Sequence, residues 1–321
     1  ESVRLGPSVL GQSEQFRIRG KKVEQDFVVQ VALPPAPWPD GRPLPVIYVL
    51  DGDVAFGVTA QIARALQSGP FPMPPALVVG IGYHYDSPED AARWGLLRVR
   101  DFSPWSDALF EDQYGPDAAD LAGGAGAFLR FLLDEVMPLV AANYPVDPLD
   151  QTLVGASLGG LFALYTLFTA PTAFNRYVVI SPAIYWGDGK LFELEAAHAA
   201  NFSDLPVDLF LAAGSLEESH DAKQRFVSNL YQMEARLRSR AYPNLRMNVR
   251  LFEGETHMSV YFGAVTRGLG EVFGGYRDMH DWSRWLSMTP AEQESLRIAR
   301  PVGPIQGRPM NSVMAQEQAM P

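Results

Sequence analysis

The sequence T-L-V-G-A-S-L-G-G-L-F-A-L, from Thr152 to Leu164, decides the fold of this chain. Its first three residues form an apolar run of strand type, and the run from Leu158 to Thr169 favours a helix. Ser157 lies between them, with a glycine two residues away on each side. This G-x-S-x-G pattern at a strand-to-helix junction predicts a nucleophile elbow, a sharp turn that raises a serine hydroxyl above a sheet.

Crowding at such a turn explains the two glycines. We expect a side chain at Gly155 or Gly159 to clash with its surroundings. We also expect the amide of Leu158, at the N-terminus of the following helix, to face a developing oxyanion. Because G-x-S-x-G also occurs by chance, the rest of the sequence has to supply the other parts of the site.

Runs of strand type and helix type alternate from residue 46 to residue 273. This alternation predicts an α/β fold with a doubly wound, mostly parallel sheet and helices on both faces. An alternating segment, Gln25 to Leu33, is expected to pair with Glu14–Arg19 as an N-terminal antiparallel hairpin. The run 46–50 is apolar without alternation, as in parallel strands covered on both faces, and the other predicted strands are 76–81, 152–154, 177–180, 207–213 and 247–252.

We expect one domain over residues 1–273. Residues 82–121 show no clear period and contain several aromatic residues, so this long connection is predicted to be an insertion that forms part of a pocket wall. Residues 274–321 are polar and irregular, which favours a C-terminal strap or a partly disordered tail over a second domain.

Composition limits the classes of function. The net charge of −11 argues against nucleic acid and against a polybasic membrane-surface protein. The absence of cysteine excludes disulfides, a thiolate nucleophile and a cysteine zinc site, and no apolar run is long enough to span a membrane. We expect a soluble protein. Periplasmic, secreted and cytoplasmic locations stay open, because a start at Glu1 fits either a removed signal peptide or a trimmed chain.

A serine hydroxyl is a poor nucleophile near neutral pH and needs a base, normally an imidazole held by a carboxylate. In this type of fold the order along the chain is serine, acid, histidine. Of the five histidines, His257 alone lies in a loop directly after the last buried strand. His257 is therefore the predicted base, and a loop or cap histidine is the alternative.

The acid is expected in the loop after the preceding strand, where the sequence reads G-S-L-E-E-S-H-D from Gly214 to Asp221. Glu217 is favoured, because its spacing from Gly214 lets it curl back over the end of the strand. Glu218 and Asp221 remain alternatives, since either could cap the following helix. A Ser–His dyad without any acid also stays open.

The second oxyanion amide is expected from the loop after residues 46–50, which reads L-D-G-D from Leu50 to Asp53. We favour the amide of Asp53, with Gly52 close behind. An ordinary strand-ending turn at Asp51-Gly52 is compatible with the same assignment.

Several separated motifs together resemble one family. They are Y-V-L-D-G (48–52), R-V-R-D-F-S-P (98–104), G-A-S-L-G-G (155–160), S-P-A-I-Y-W (181–186), G-S-L-E (214–217) and G-E-T-H (254–257). In this order the chain resembles the putative-esterase family of α/β-hydrolases, related to esterase D, and within it the enterobactin- and salmochelin-type siderophore esterases. The resemblance implies ester hydrolysis through Ser157 and His257. Members of that family differ over an acid, so Glu217 stays open.

The resemblance also implies that Arg98, Arg100 and the pair Tyr185-Trp186 lie near the substrate mouth. An acidic protein that binds an anionic siderophore would need local cations there. The alternatives are a loop-pinning ion pair with Asp101 for the arginines and a core-edge aromatic for Trp186.

The expected function is a serine carboxylic-ester hydrolase that forms an acyl-enzyme from a small-molecule ester, with no metal or organic cofactor. Siderophore-like, aryl and acyl esters all fit an aromatic-walled cleft. Two alternatives are acyl transfer to an alcohol on the same fold and a non-catalytic binding protein. The positions of Ser157 and His257 favour an enzyme over the binding protein.

Overall fold

The computed structural model describes residues 10–35, 43–68, 73–114, 121–218 and 224–274, together with 287, 289, 291 and 292. Within this part of the chain the strands are β1 (Ser13–Arg19), β2 (Asp26–Ala32), β3 (Leu44–Val49), β4 (Leu77–Tyr83), β5 (Val146–Ala156), β6 (Arg176–Ile180), β7 (Asp208–Gly214) and β8 (Arg246–Phe252). They form one sheet in the order β1-β2-β4-β3-β5-β6-β7-β8. The pairs β1–β2 and β2–β4 are antiparallel, and the other pairs are parallel.

Burial along the strands follows from this arrangement. Every residue of β3, β4, β6 and β7 is buried, as expected for strands with helices on both faces. In β1 and β8, the two edge strands of the sheet, every residue is partly or fully exposed. The expectation that residues 247–252 form a buried strand is therefore wrong, because β8 has a neighbouring strand on one side alone. The predicted fold class is confirmed, including the mostly parallel sheet and the N-terminal antiparallel hairpin.

Helices cover both faces of the sheet. They are α1 (Gly52–Ser68), α2 (Pro88–Ala91), α3 (Trp94–Phe102), α4 (Ala108–Tyr114), α5 (Ala125–Phe131), α6 (Met137–Asn143), α7 (Leu158–Thr169), α8 (Trp186–Asn201), α9 (Phe226–Arg240) and α10 (Val260–Val272). A π-helical turn (Leu132–Val136) joins α5 to α6, and a 3-10 turn (Ser215–Glu218) follows β7. One apolar cluster contains α1 and α10, with Phe56 and Leu269 buried between them and the sheet. The other face carries α3 and α5 to α9, with Phe162 and Leu230 in the larger cluster.

In its described residues, 82–114 and 121, the predicted insertion contains three helices where the sequence showed no clear period. These helices, α2, α3 and α4, are 4, 9 and 7 residues long, which is too short for a helical pattern to repeat. Phe102, at the end of α3, is buried, and its ring centroid lies 5.3 Å from that of Phe128 and 5.9 Å from that of Phe162. The insertion therefore packs into the main core.

Parallel strands place their carboxyl ends at one edge of the sheet, and ligands of open α/β sheets bind in the crevice outside that edge. Here the segments that follow β3, β5, β6, β7 and β8 leave the sheet on this side. They carry the candidate oxyanion loop, the elbow, the S-P-A-I-Y-W motif, the candidate acid and the candidate base, in that order.

The remaining expectations concern the ends of the chain and the membrane. A single domain over residues 1–273 stays a prediction. The predicted strap or tail, 274–321, lies outside the described residues except for Gly274 and the four isolated positions. Among the described residues, no helix combines the length and the apolar character needed to cross a membrane.

Candidate active site

Ser157 occupies the turn between β5 and α7. Its φ of 58° and ψ of −119° are a conformation that residues with a side chain seldom adopt, at a cost of about 1–3 kcal/mol. The Ser157 amide donates to the carbonyl of Ile180 at 3.0 Å, and its carbonyl accepts from the amides of Leu161 at 3.0 Å and Ala183 at 3.1 Å. These bonds hold the strained turn in place, as a nucleophile elbow requires.

The glycines around the turn differ in what they permit. A Cβ at Gly155 would lie 2.2 Å from the carbonyl oxygen of Gly159, so only glycine lets β5 and α7 approach this closely. The expected clash at Gly159 is wrong, because a Cβ there would meet Leu50 and Asp51 at an ordinary 3.5 Å. The second crowded position is Gly160, where a Cβ would lie 2.9 Å from Cα of Pro182.

His257 and Glu217 form a hydrogen-bonded pair. Nδ1 of His257 lies 2.6 Å from Oε2 of Glu217. The other oxygen, Oε1, accepts from the hydroxyl of Ser181 at 2.6 Å and from the amide of Gly214 at 2.5 Å. The Glu217 side chain is 1% exposed and the His257 side chain 36% exposed, so the carboxylate is buried beneath an imidazole that solvent can reach. This arrangement can orient the ring and stabilise an imidazolium.

Two loops are fastened together to form that pair. The amide of Leu216 donates to the carbonyl of Glu255 at 3.1 Å, and the amide of Gly254 donates to Oγ of Ser215 at 2.9 Å. A Cβ at Gly214 would lie 2.3 Å from the Glu255 carbonyl oxygen, so glycine is needed where the loops touch. The segments after β7 and β8 therefore bring the imidazole to the carboxylate.

The competing carboxylates have other positions. Glu218 accepts from the amides of Val227 at 2.9 Å and Ser228 at 3.1 Å, at the start of α9. Partial burial raises the pKa of Glu218, but the bonds from Ser228 and Val227 outweigh it and hold that pKa below its ordinary value. Glu218 thus caps a helix, as the alternative proposed. Asp221 lies outside the described residues.

The candidate oxyanion loop begins helix α1. The carbonyl of Asp51 accepts from the amides of Val54 at 3.0 Å and Ala55 at 2.9 Å. The amide of Asp53 falls in the first helical turn, where a helix offers no carbonyl to its own donors. Leu158, the first residue of α7, is likewise in the first turn of its helix. Because a Cβ at Gly159 would contact both Leu50 and Asp51, the loop lies against the first turn of α7.

Arg98 and Arg100 both hold carboxylates. Arg98 bonds Asp51, with Nε 2.5 Å from Oδ1 and Nη2 2.9 Å from Oδ2. Arg100 bonds Asp101 in the same two-pronged way, at 2.7 and 2.9 Å. Burial raises the pKa of the Asp101 carboxyl, and the Arg100 guanidinium opposes that shift. The ion-pair alternative thus describes Arg100, whereas the partner of Arg98 is Asp51 instead of the expected Asp101.

The two aromatic candidates differ in exposure. Trp186 is 5% exposed, and its indole nitrogen donates to the carbonyl of Trp105 at 2.7 Å, while Trp105 donates back to the carbonyl of Trp186 at 3.2 Å. Tyr185 is partly exposed and packs edge-on against Phe226 at 5.3 Å. The Phe226 ring lies 4.8 Å from that of His257. Tyr185 and Phe226 therefore extend an aromatic row from the imidazole, and Trp186 is a core-edge residue.

Three side chains of the site were missed from the sequence. Asp51 lies in the Y-V-L-D-G motif and Ser181 begins the S-P-A-I-Y-W motif. A polar side chain at the end of a predicted strand was the feature that could have identified both residues. Phe226 begins an apolar helical stripe, which indicates a core position, and nothing in the sequence distinguishes it from Leu230.

The sheet order, the elbow after β5 and the histidine after β8 define an α/β-hydrolase. Residues 20–294 match the model of the family described as "Putative esterase". The chain is 33% identical over 276 residues to the ferri-bacillibactin esterase BesA of Bacillus subtilis, covering 81% of this chain and 91% of that protein. It is 30% identical over 300 residues to the siderophore triacetylfusarinine C esterase of Aspergillus fumigatus, covering 84% and 96%.

A solved structure agrees with these matches. The crystal structure of the BES protein from Bacillus cereus superposes with a TM-score of 0.72 at 29% identity, covering 85% of this chain and 98% of that one. The chain therefore belongs to the "Putative esterase" family, and it is an esterase. The resemblance found in the motifs is confirmed.

The glycines of the elbow give a matched pair of substitutions. Gly155→Ala should lower the free energy of unfolding by about 1–3 kcal/mol or more, because its Cβ would overlap the Gly159 carbonyl. Gly159→Ala should be neutral or stabilising by up to about 1 kcal/mol, since alanine favours a helix and meets no close contact there. Urea denaturation measures both, and equal losses would contradict this account of the turn.

Proposed function

We propose that the protein hydrolyses carboxylic esters with Ser157 as nucleophile, His257 as base and Glu217 as the acid that holds the base. The observation that carries this proposal is the 2.6 Å bond between His257 and the buried Glu217 carboxylate, at the sheet edge where the elbow lies. With Nδ1–H donated to Glu217, Nε2 is the atom free to take a proton. The strained backbone of Ser157 supports its role as nucleophile.

In the acylation half of the reaction, Nε2 of His257 takes the hydroxyl proton of Ser157 as Oγ attacks the ester carbonyl. The carbonyl oxygen becomes an oxyanion, which the amides of Leu158 and Asp53 stabilise from the N-termini of α7 and α1. When the tetrahedral intermediate collapses, the alcohol leaves and takes the proton from the imidazolium. An acyl-enzyme on Ser157 remains.

In the deacylation half, His257 removes a proton from a water molecule as its oxygen attacks the acyl carbon. The second tetrahedral intermediate uses the same two amides. Its collapse breaks the bond to Ser157, and the serine oxygen recovers the proton from the imidazolium. The acid is released, and the enzyme returns to its starting state.

For the substrate, we propose a siderophore-like ester. The relatives BesA and the triacetylfusarinine C esterase carry siderophore esters in their names. Tyr185 and Phe226 offer an aromatic surface beside His257 that suits an aryl-bearing acyl group. We also propose that Arg98 and Arg100 contribute to substrate binding. Their guanidinium groups would do so while they keep their hydrogen bonds to Asp51 and Asp101.

Replacing the nucleophile tests the reaction. Ser157→Ala should reduce kcat for a p-nitrophenyl ester by about 10⁴-fold or more without unfolding the protein. A fluorophosphonate probe should add its mass to the native protein and leave the variant unlabelled. Ser239→Ala, an exposed serine in α9, is the control and should keep both properties. An unchanged rate in Ser157→Ala would end the esterase mechanism proposed here.

Replacing each glutamate separates the competing acids. Glu217→Gln should lower kcat by about 10²–10⁴-fold, because the imidazole loses the anion that orients it.

The control for this prediction is Glu218→Gln, which weakens a helix cap and should cost stability with little change in kcat. A larger loss of kcat in Glu218→Gln than in Glu217→Gln would transfer the role of acid to Glu218.

An ester panel tests the substrate. A catecholate trilactone should be hydrolysed with a higher kcat/KM than p-nitrophenyl acetate, and mass spectrometry should find linear hydroxy acids as products. The Ser157→Ala variant measures spontaneous hydrolysis, and an added alcohol shows whether the acyl group goes to water or to an acceptor. Turnover of the aryl ester with an intact trilactone would reject the siderophore-like substrate and leave the esterase.

A further inference from the structure

We propose that Arg98 is a positioning residue for the oxyanion loop and that it acts through the carboxylate of Asp51. This inference rests on the proposed function, because it assumes that the Asp53 amide holds the oxyanion. It assigns to Arg98 a role in catalysis besides any contact with substrate.

The pair joins two distant parts of the chain. Arg98 lies in α3, within the insertion, and Asp51 lies 47 residues earlier, two residues after the end of β3. The two hydrogen bonds, at 2.5 and 2.9 Å, are the planar two-pronged geometry that arginine and a carboxylate form best. Such a pair fixes orientation as well as distance, which a lysine could not do.

Arg98 is itself held firmly. Its side chain is 13% exposed, and its guanidinium carbon lies 4.5 Å from the centre of the Trp94 ring and 5.7 Å from that of Phe102. Both aromatic residues belong to α3, and Phe102 is buried in the main core. The guanidinium is therefore held in one position by aromatic side chains of its own helix.

The backbone conformation of Asp51 determines the direction of the oxyanion loop. Its φ of 56° is left-handed, which is uncommon for a residue with a side chain. Its carbonyl accepts from the amides of Val54 and Ala55 in the first turn of α1, so the orientation of Asp51 influences where the neighbouring Asp53 amide points. The next residue, Gly52, would place a Cβ 2.8 Å from the backbone of Ile81, so the loop also lies tightly against β4.

The carboxylate of Asp51 also faces the nucleophile helix. Its Oδ2 lies 3.5 Å from the position of a Cβ on Gly159, in the first turn of α7. A negative charge this close to the elbow opposes the developing oxyanion, since like charges repel strongly where water is excluded. The guanidinium of Arg98 neutralises that charge. Arg98 thus supports the transition state in two ways, by geometry and by charge.

The test uses Arg98→Met, which keeps much of the side-chain volume and removes both hydrogen bonds and the charge. We expect kcat on a p-nitrophenyl ester to fall roughly 10–100-fold, because the lost interaction acts in the transition state. KM should stay nearly unchanged, since this ester carries no negative charge for the guanidinium to bind. Adding Asp51→Asn to Arg98→Met should restore part of kcat, since the unpaired carboxylate is then gone. Arg98→Lys keeps the charge and should lie between the native protein and Arg98→Met.

Arg176 provides the matched control. Like Arg98, it is an arginine with little exposed surface that pairs with a buried aspartate, here Asp150, and its guanidinium carbon lies 4.5 Å from the centre of an aromatic ring, Phe273. It is the first residue of β6 and so lies at the amino ends of the parallel strands, whereas the elbow lies at their carboxyl ends. Arg176→Met should lower the melting temperature at least as much as Arg98→Met and should leave kcat near the native value.

The possible results distinguish a positioning role of Arg98 from a substrate contact and from a failure of the proposed function. A native kcat in folded Arg98→Met, with Ser157→Ala inactive, overturns the positioning role and leaves the proposed function intact. A change in KM alone makes Arg98 a substrate contact and also overturns it. Should Arg98→Met fail to fold, Arg98→Lys decides by the same split between kcat and KM. An active Ser157→Ala variant would instead remove the proposed function itself.

Discussion

The site depends on a hydrogen bond between two loops that are far apart along the chain. Glu217 follows β7 and His257 follows β8, and the 2.6 Å bond between them has a carboxylate that is almost wholly buried. A buried carboxylate is tolerated only when its oxygens are satisfied, and here the Gly214 amide and the Ser181 hydroxyl serve the second oxygen. Three consecutive strands of the sheet thus contribute to holding one imidazole.

Much of the fold could be predicted because its determinants are local. The strand β6 is apolar after Arg176 and the helix α7 is mostly apolar, and a parallel strand or a buried helix needs little else to be recognised. The fold class, the family resemblance and the esterase activity are confirmed. The roles of Ser157, His257 and Glu217 stay proposals. Their positions after β5, β7 and β8 could nonetheless be predicted, since the carboxyl ends of parallel strands meet at one edge.

The rest was not predictable because it consists of pairings over long separations. Arg98 precedes Asp101 closely in sequence, yet its partner is Asp51, 47 residues away. Trp105 and Trp186 bond each other across 81 residues. The residue type at one position does not indicate which distant residue its side chain will bond. The helices of the insertion are too short to show a period, and Phe226 reads as an ordinary core position until its ring is seen beside His257.

The contact at Gly214 has a consequence for how such an enzyme can diversify. The strand end meets the Glu255 carbonyl so closely that even one methyl group has no room. An extra residue in either loop would draw the ring away from its carboxylate. Insertions in these two loops are therefore not tolerated, and a change of substrate specificity there has to come from substitution of side chains.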